Sequence, residues 1–378
     1  MREYLLVMLT AFAATYLFAG LCRRVAIRTG ALAPVRERDV HATPTPYLGG
    51  VAMLVGVGAA FLLAAHMPFL GRHPTVSRDA LGIFLAALVI CVIGAIDDAI
   101  DLPWMAKIAG QVLAAGVAVL NGVRMYWVSL PHQIFALDEP TSILITVLYI
   151  FVCVNAINLI DGLDGLAAGV VGIGSLAMFV YTYLLAYQQQ FVVATTASLV
   201  TATIAGICAG FLPHNFFRAK MFMGDSGAML LGLLLACSTL SLTGQIDSSA
   251  LTPSRGDALP ALLPIVLPIA IMALPLIDMT MAYIRRTWNG NWWFVADKKH
   301  LHHRLLQRGH SQIKAVLIMY MWTAIIAFGV IALGLAWYWP VILAVAVAIA
   351  IAIVLTVVPM RQPKSPARRL VEPKPVER

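Results

Sequence analysis

Charge is scarce in this 378-residue sequence: only 12% of its residues are Asp, Glu, Lys or Arg, about half the share usual in a soluble domain. With 61% hydrophobic residues and a mean hydropathy of +0.86, the chain is excluded from the soluble globular class. Cysteine is sparse as well. Cys22, Cys91, Cys153, Cys208 and Cys237 are scattered through apolar segments without a C-x-x-C pair. That excludes a disulfide framework or a cysteine zinc site and leaves small buried hydrophobes. No H-E-x-x-H pattern occurs either, so zinc at the histidines of 300–303 has neither a cysteine nor that pattern nearby to support it.

What is present is a series of long apolar runs. A spanning helix needs roughly 20 apolar residues. Eleven stretches qualify: 3–22, 48–66, 80–96, 104–120, 141–157, 163–186, 191–211, 226–243, 260–284, 313–335 and 338–359. The expected fold is an all-α integral membrane protein, a polytopic helical bundle of about eleven transmembrane helices forming a single catalytic domain over 1–359. The first run is long, carries Glu3, and is followed at once by Arg23 and Arg24, so it reads as a retained helix rather than a signal peptide. The segment 360–378, RQPKSPARRLVEPKPVER after its first residue, is basic and proline-rich, a composition for a solvated, disordered cytoplasmic tail near anionic lipid.

Lysine and arginine set the orientation. Of the 26, all but Arg2, Arg72, Arg78, Arg124 and Arg255 fall in alternate loops or the tail, which places the N-terminus outside and the C-terminus in the cytoplasm. The net charge of +8 is therefore read as facing lipid and anionic substrates, not nucleic acid.

Topology then gathers the polar motifs on the inner side. Asp97, Asp98 and Asp101 follow the third span in DDAID; Asn158, Asp161 and Asp164 lie between the fifth and sixth in NLIDGLDGL; Asn215 and Asp225 flank HNFFRAKMFMGDSG; His300, His302 and His303 lie in HLHHR. An interfacial Asp often only favours a helix N-terminus, the plain reading for Asp101 or Asp164 alone and an alternative for Asp225 as an N-cap. Adjacent Asp97 and Asp98 repel one another unless a cation lies between them. The spacing of D-D-x-x-D predicts Asp97 and Asp101 on one helical face, suited to Mg²⁺ shared with substrate phosphates. Likewise, i, i+3 spacing predicts Asp161 and Asp164 on one side of the sixth helix's first turn. Lys298, Lys299, Arg304 and Arg308 around the histidines favour a phosphate-binding surface, the alternative being a basic loop on lipid headgroups. Trp288, Trp292 and Trp293 read as interfacial anchors. Asp278, inside a predicted span, lies near enough to the inner surface to pair locally or support the site.

In this order, TPTPYLGG (43–50), DDAID (97–101), NLIDGLDGLAAG (158–169), Asn215 with Asp225 in FMGDSG, and HLHHR (300–304) resemble the polyprenyl-phosphate N-acetylhexosamine-1-phosphate transferase family, glycosyltransferase family 4. The resemblance runs from about residue 20 to 315. It implies attack of a polyprenyl phosphate on the sugar-linked phosphate of a UDP-N-acetylhexosamine, release of UMP, and Mg²⁺ as cofactor with Mn²⁺ as a substitute. It implies Asp225 as a metal ligand, with Asp98 helping to hold the metal, and Asp97, Asp98 and Lys107 as catalytic groups. Asn215 would lie near the diphosphate; Asn158, Asp161, Asp164 and Phe222 would line the nucleotide pocket, the phenylalanine stacking on uracil; His300, His302, His303 and Arg304 would meet the diphosphate or sugar. HLHHR resembles the branch using UDP-GlcNAc for cell-wall polysaccharide and O-antigen (lipopolysaccharide) units, the alternative being the phospho-MurNAc-pentapeptide branch of peptidoglycan synthesis. A lysine that the latter carries near uracil has His41 at its place here. The family context implies a multi-pass protein of the bacterial plasma (inner) membrane with the site facing the cytoplasm, and a homodimer as a family-level expectation.

Two other classes fit less well. A transporter with an acidic relay would place acids near the bilayer midplane, whereas these lie at one interface. A CDP-alcohol phosphatidyltransferase needs D-G-x-x-A-R, and DGLAAG lacks the arginine.

Overall fold

Each apolar run becomes helix, because inside a bilayer a backbone satisfies its N–H and C=O groups only internally. The computed structural model describes residues 1–33, 44–130, 133–189, 193–243, 258–288, 290, 301–336 and 338–358. Its helices are α1 (Arg2–Thr29), α2 (Gly49–Ala65), α3 (Pro74–Ile100), α4 (Trp104–Leu120), α5 (Glu139–Ile160), α6 (Leu166–Gln189), α7 (Val193–Asn215), α8 (Gly224–Thr243), α9 (Ala258–Ile271), α10 (Ala273–Trp288), α11 (Leu301–Gln307), α12 (Gln312–Leu335) and α13 (Trp339–Val357). Among the described residues, eight helices are long and apolar enough to cross a membrane, and α2 and α4 are shorter apolar helices. The chain is a multi-pass membrane protein.

The run 260–284 departs from a single helix. It breaks at Met272 into α9 and α10. Pro275 has no N–H for the Ile271 carbonyl and its ring crowds that turn, while Met272 N still donates to the Pro268 carbonyl at 3.0 Å and Leu276 N to the Met272 carbonyl at 2.8 Å. The proline disturbs the ladder for about one turn and the chain continues in helix.

The bundle is organised around α8. Every residue from Ser226 to Leu242 is buried, enclosed by α2, α3, α5 and α7. Polar side chains are tolerated there because they bond to their own helix: the hydroxyls of Ser238 and Thr239 donate to the Leu235 carbonyl at 2.7 and 3.1 Å. The start of α8 is packed to backbone contact. A Cβ on Gly94 of α3 would lie 2.4 Å from Ser226 Cα, so only glycine permits α3 to approach the segment that carries Asp225. At the periphery, α13 buries only Ala352.

Two small antiparallel pairs complete the structure. β1 (Leu32–Ala33) pairs with β2 (Thr45–Pro46) just before α2. β3 (Trp127–Leu130) and β4 (Gln133–Ala136) form a hairpin between α4 and α5, at the ends of those helices away from Lys107 and Asp161.

Candidate active site

The end of α3, the start of α4, the end of α5, the loop before α6, the end of α7 and the start of α8 come together at one end of the bundle. Lys107, in the first turn of α4, is the cationic hub. Its Nζ donates to Asp97 Oδ2 at 2.8 Å and also forms a close ion pair with Asp225 Oδ2. Asp97 Oδ1 accepts the Leu102 backbone N–H at 2.9 Å, so the turn into α4 aims this acid. The Lys107 side chain is mostly enclosed, which strengthens both ion pairs over their solvent-exposed equivalents.

Asp98 faces differently. Its Oδ1 accepts the backbone N–H of Asp225 at 2.7 Å, and its Oδ2 accepts the backbone N–H and hydroxyl of Ser226 at 3.2 and 3.0 Å. It thereby satisfies donors that the first turn of any helix leaves without an intrahelical partner. The N-cap role considered for Asp225 is carried out from another helix by Asp98, and Asp225 turns its carboxylate to Lys107.

Two expectations about spacing are corrected. Asp101 does not share a helical face with Asp97: α3 ends at Ile100, and Asp101 adopts a left-handed φ of 49°, exposed beyond the helix end while Asp97 is buried. Nor do Asp161 and Asp164 lie in the first turn of α6. Helix α5 ends at Ile160 and α6 begins at Leu166, so both acids belong to the connecting loop, whose Gly165 has φ +73°. Glycines at 162 and 165 favour a turn over an extra helical turn.

That loop is fastened to the segment before α8. Asn215, buried at the end of α7, accepts the Gly165 N–H through Oδ1 at 3.0 Å and donates through Nδ2 to the Met221 carbonyl at 2.9 Å. Asp164 Oδ2 accepts the Ala219 N–H at 3.0 Å. Both ends of the Asn215 amide are thus engaged within the protein, while Asn158 lies half-buried at the end of α5. Enclosure, together with the charges of Asp225, Asp98 and Asp164, pushes the Asp161 carboxyl up to about 8. Four carboxyl groups, those of Asp97, Asp98, Asp161 and Asp225, thus share this end of the bundle with Lys107.

Phe222 stands between two backbone contacts: its N–H donates to the Pro46 carbonyl at 2.9 Å and its carbonyl accepts from Gly49 N at 3.2 Å. The TPTPYLGG segment thus braces the loop leading to Asp225. Its Tyr47 ring is 6.4 Å from the Phe222 ring at 52°, giving that wall two aromatic side chains. His300 and the 291–299 stretch, with Trp292, Trp293, Lys298 and Lys299, lie outside the described residues, as does His41. In α11, His303 is half-buried and Arg304 exposed. The buried Asp278 of α10 accepts the Leu301 N–H at 2.8 Å, holding the start of this helix, which is the local pairing open to it and not a midplane relay.

Among the described residues no group of three His, Cys, Asp or Glu side chains gathers closely enough to cage a metal. The oxygen-only pair Asp97 and Asp225 matches the one or two carboxylates that a magnesium ion takes when phosphates and water complete its shell. Sequence reasoning missed Ser226, Tyr47 and Tyr320. The first two lie inside the quoted motifs; Tyr320, whose hydroxyl bonds to the Gly165 carbonyl, carries no local signal because its partner is 155 residues away.

Comparison with known proteins gives this geometry its setting. Residues 80–243 match the profile of glycosyl transferase family 4. The chain is 44% identical over 333 residues to the decaprenyl-phosphate N-acetylglucosaminephosphotransferase of Mycobacterium tuberculosis (strain CDC 1551 / Oshkosh), covering 87% of this chain and 82% of the relative. The enzyme of the same name from Mycolicibacterium smegmatis is also 44% identical, with the same coverage. The undecaprenyl-phosphate alpha-N-acetylglucosaminyl 1-phosphate transferase of Escherichia coli (strain K12) is 27% identical, covering 86% of this chain and 83% of the relative. With this likeness running through the segments that carry Asp97, Lys107, Asp161, Asn215 and Asp225, the chain belongs to glycosyl transferase family 4.

Proposed function

We propose that the protein transfers N-acetylglucosamine 1-phosphate from UDP-GlcNAc to a membrane polyprenyl phosphate, releasing UMP and forming polyprenyl-diphosphate-GlcNAc. The observation that carries this reading is the meeting of Asp97, Lys107 and Asp225 at one end of a membrane bundle, in a chain whose relatives are named for this transfer. The positive-inside bias supports a cytoplasmic face for that end, and on this reading the membrane is the bacterial plasma membrane, where a soluble UDP-sugar and a lipid phosphate headgroup can meet.

The residues divide the work as follows. Lys107 donates to phosphate oxygens once substrates displace part of its hold on the two acids, offsetting charge as two anions approach. Asp225 would hold Mg²⁺, or Mn²⁺ in its stead, with Asp97 beside it rather than the Asp98 expected from the sequence, whose two oxygens are engaged by the start of α8; the carboxylates around Lys107 fit a divalent cation. When bound, the metal supplies Lewis-acid neutralisation of the diphosphate. Asp98 keeps the start of α8, and so Asp225, in register. Asp161, mostly protonated at neutral pH, adds little charge to a wall that faces the donor. On this reading Asn158 and Phe222 would line the same wall, and His303 and Arg304 of α11 would meet the diphosphate or sugar.

A phosphate monoester has a second pKa of about 6, so the acceptor is already largely dianionic at neutral pH. Its oxygen attacks the sugar-linked phosphorus directly; the new P–O bond forms as the bond to UMP breaks, and UMP departs with the electron pair. No general base is needed. Detection of phosphorylated Asp97 or Asp98 after incubation with UDP-GlcNAc alone would count against direct attack.

The test is UMP release from purified protein given Mg²⁺, a short polyprenyl phosphate and a panel of UDP-sugars. UDP-GlcNAc should be the preferred donor. Release only with UDP-MurNAc-pentapeptide would move the protein to the peptidoglycan branch, and no release with any donor would defeat the enzyme reading.

A further inference from the structure

The acid-bearing loop between α5 and α6 is held at a single residue from both sides. Gly165, at φ +73°, gives its N–H to Asn215 Oδ1 at 3.0 Å and takes a hydrogen bond on its carbonyl from the Tyr320 hydroxyl of α12. Asn215 belongs to the sequence motifs; Tyr320 does not. The tyrosine reaches the loop through a notch in α6, where a Cβ on Gly169 would lie 1.9 to 2.2 Å from three of its ring and hydroxyl atoms. No residue larger than glycine leaves room for the ring at that position.

The half-buried ring thus does more than fill space. It delivers a second donor to the Gly165 carbonyl, which also accepts the Gly169 N–H at 3.0 Å, in a loop otherwise tied through side chains to Asn215 at the end of α7 and to Ala219 before α8. We infer that Tyr320 is a positioning residue for the donor-nucleotide wall, fixing the Asp161–Gly165 loop from α12, the helix that follows the histidine-bearing α11. The inference rests on the proposed donor site, and its test separates the two.

Tyr320→Phe keeps the ring in the notch and removes only the hydroxyl. A net hydrogen bond of about 0.5–1.5 kcal/mol corresponds to a change of about 2- to 13-fold. The expected result is a rise of that size in KM for UDP-GlcNAc, with acceptor KM unchanged, kcat changed less than donor KM, and the thermal midpoint lowered by at most a few degrees. In amide hydrogen exchange, peptides covering 161–168 should exchange faster while those covering 97–107 do not. Wild-type exchange and donor KM in Tyr320→Phe would overturn the inference, leaving the ring as packing alone. An equal rise in both KM values with a lowered midpoint would overturn it also. If the wild type itself releases no UMP, the enzyme reading fails, yet the exchange result still decides whether the hydroxyl holds the loop. Should Tyr320→Phe not accumulate, Gly169→Ala displaces the ring with the hydroxyl intact and should give the same local exchange defect; its absence would overturn the inference.

Discussion

Asp98 accepts the backbone N–H of Asp225 at 2.7 Å across 127 residues of sequence, so the second acid of the DD pair holds the helix that presents the acid facing Lys107. Asp98→Ala should therefore lose both turnover and stability. Removing a capping acid costs about 0.5–2 kcal/mol, visible as a lowered thermal midpoint. Asp225→Asn, which keeps the backbone N–H that Asp98 binds, should abolish UMP release while leaving the midpoint near wild type. Full activity in Asp225→Asn would remove that residue from the centre of the chemistry.

Lys107 spans Asp97 and Asp225, and substituting it leaves two facing carboxylates without their ammonium. Lys107→Met should lower kcat by roughly 10²- to 10³-fold, the scale for losing one electrostatic donor in a preorganised site. Raising Mg²⁺ should not restore kcat if the ammonium itself contacts phosphate; steady-state kinetics over a magnesium series checks this.

Asp161 gives a pH dependence with a definite sign. Its carboxyl is pushed up to about 8 in the folded protein, against about 3.9 when exposed. The folded state thus binds the proton more tightly, and the stability linked to it is complete below about pH 4 and lost as pH rises to about 8. Asp161→Asn should flatten the fall in thermal midpoint of the unliganded protein between pH 5 and 8. A wild-type slope in that variant would show that another group titrates.

Asp278 receives the Leu301 N–H at 2.8 Å from the start of α11. Asp278→Ala should loosen that helix, raising donor KM severalfold and speeding proteolysis or exchange around 301–307. Arg304→Ala, at an exposed position, should raise donor KM without any such loosening. Equal exchange in the two variants would mean that Asp278 does not organise the segment.

Much of the fold is legible along the chain because bilayer helices are written locally: roughly 20 apolar residues in a row leave the backbone no alternative. The eleven apolar runs fall on helices α1–α10, α12 and α13, eight of which are long and apolar enough to cross a membrane, and Pro275 breaks one run at a place a reader could mark. The gathering of acids at one end also follows from counting spans. Local spacing misled at Asp101 and at the Asp161–Asp164 pair. At Asp101 the helix stops one residue short through a left-handed turn, and after Asp161 and Asp164 the next helix begins only at Leu166, past the left-handed Gly165.

The sequence by itself determined the membrane class, the positions of the apolar helices and the set of polar residues delivered to one end. Only the tertiary structure decided what each does there: that Asp97 and Asp225 share Lys107 while Asp98 caps α8, that Asn215 ties one loop to another, and that Tyr320 reaches Gly165. The physical reason is range. Helix formation is settled by hydrogen bonds four residues apart, whereas a carboxylate's role is settled by which donors lie within about 3 Å, and for Asp98 and Asp225 those donors come from helices over a hundred residues away.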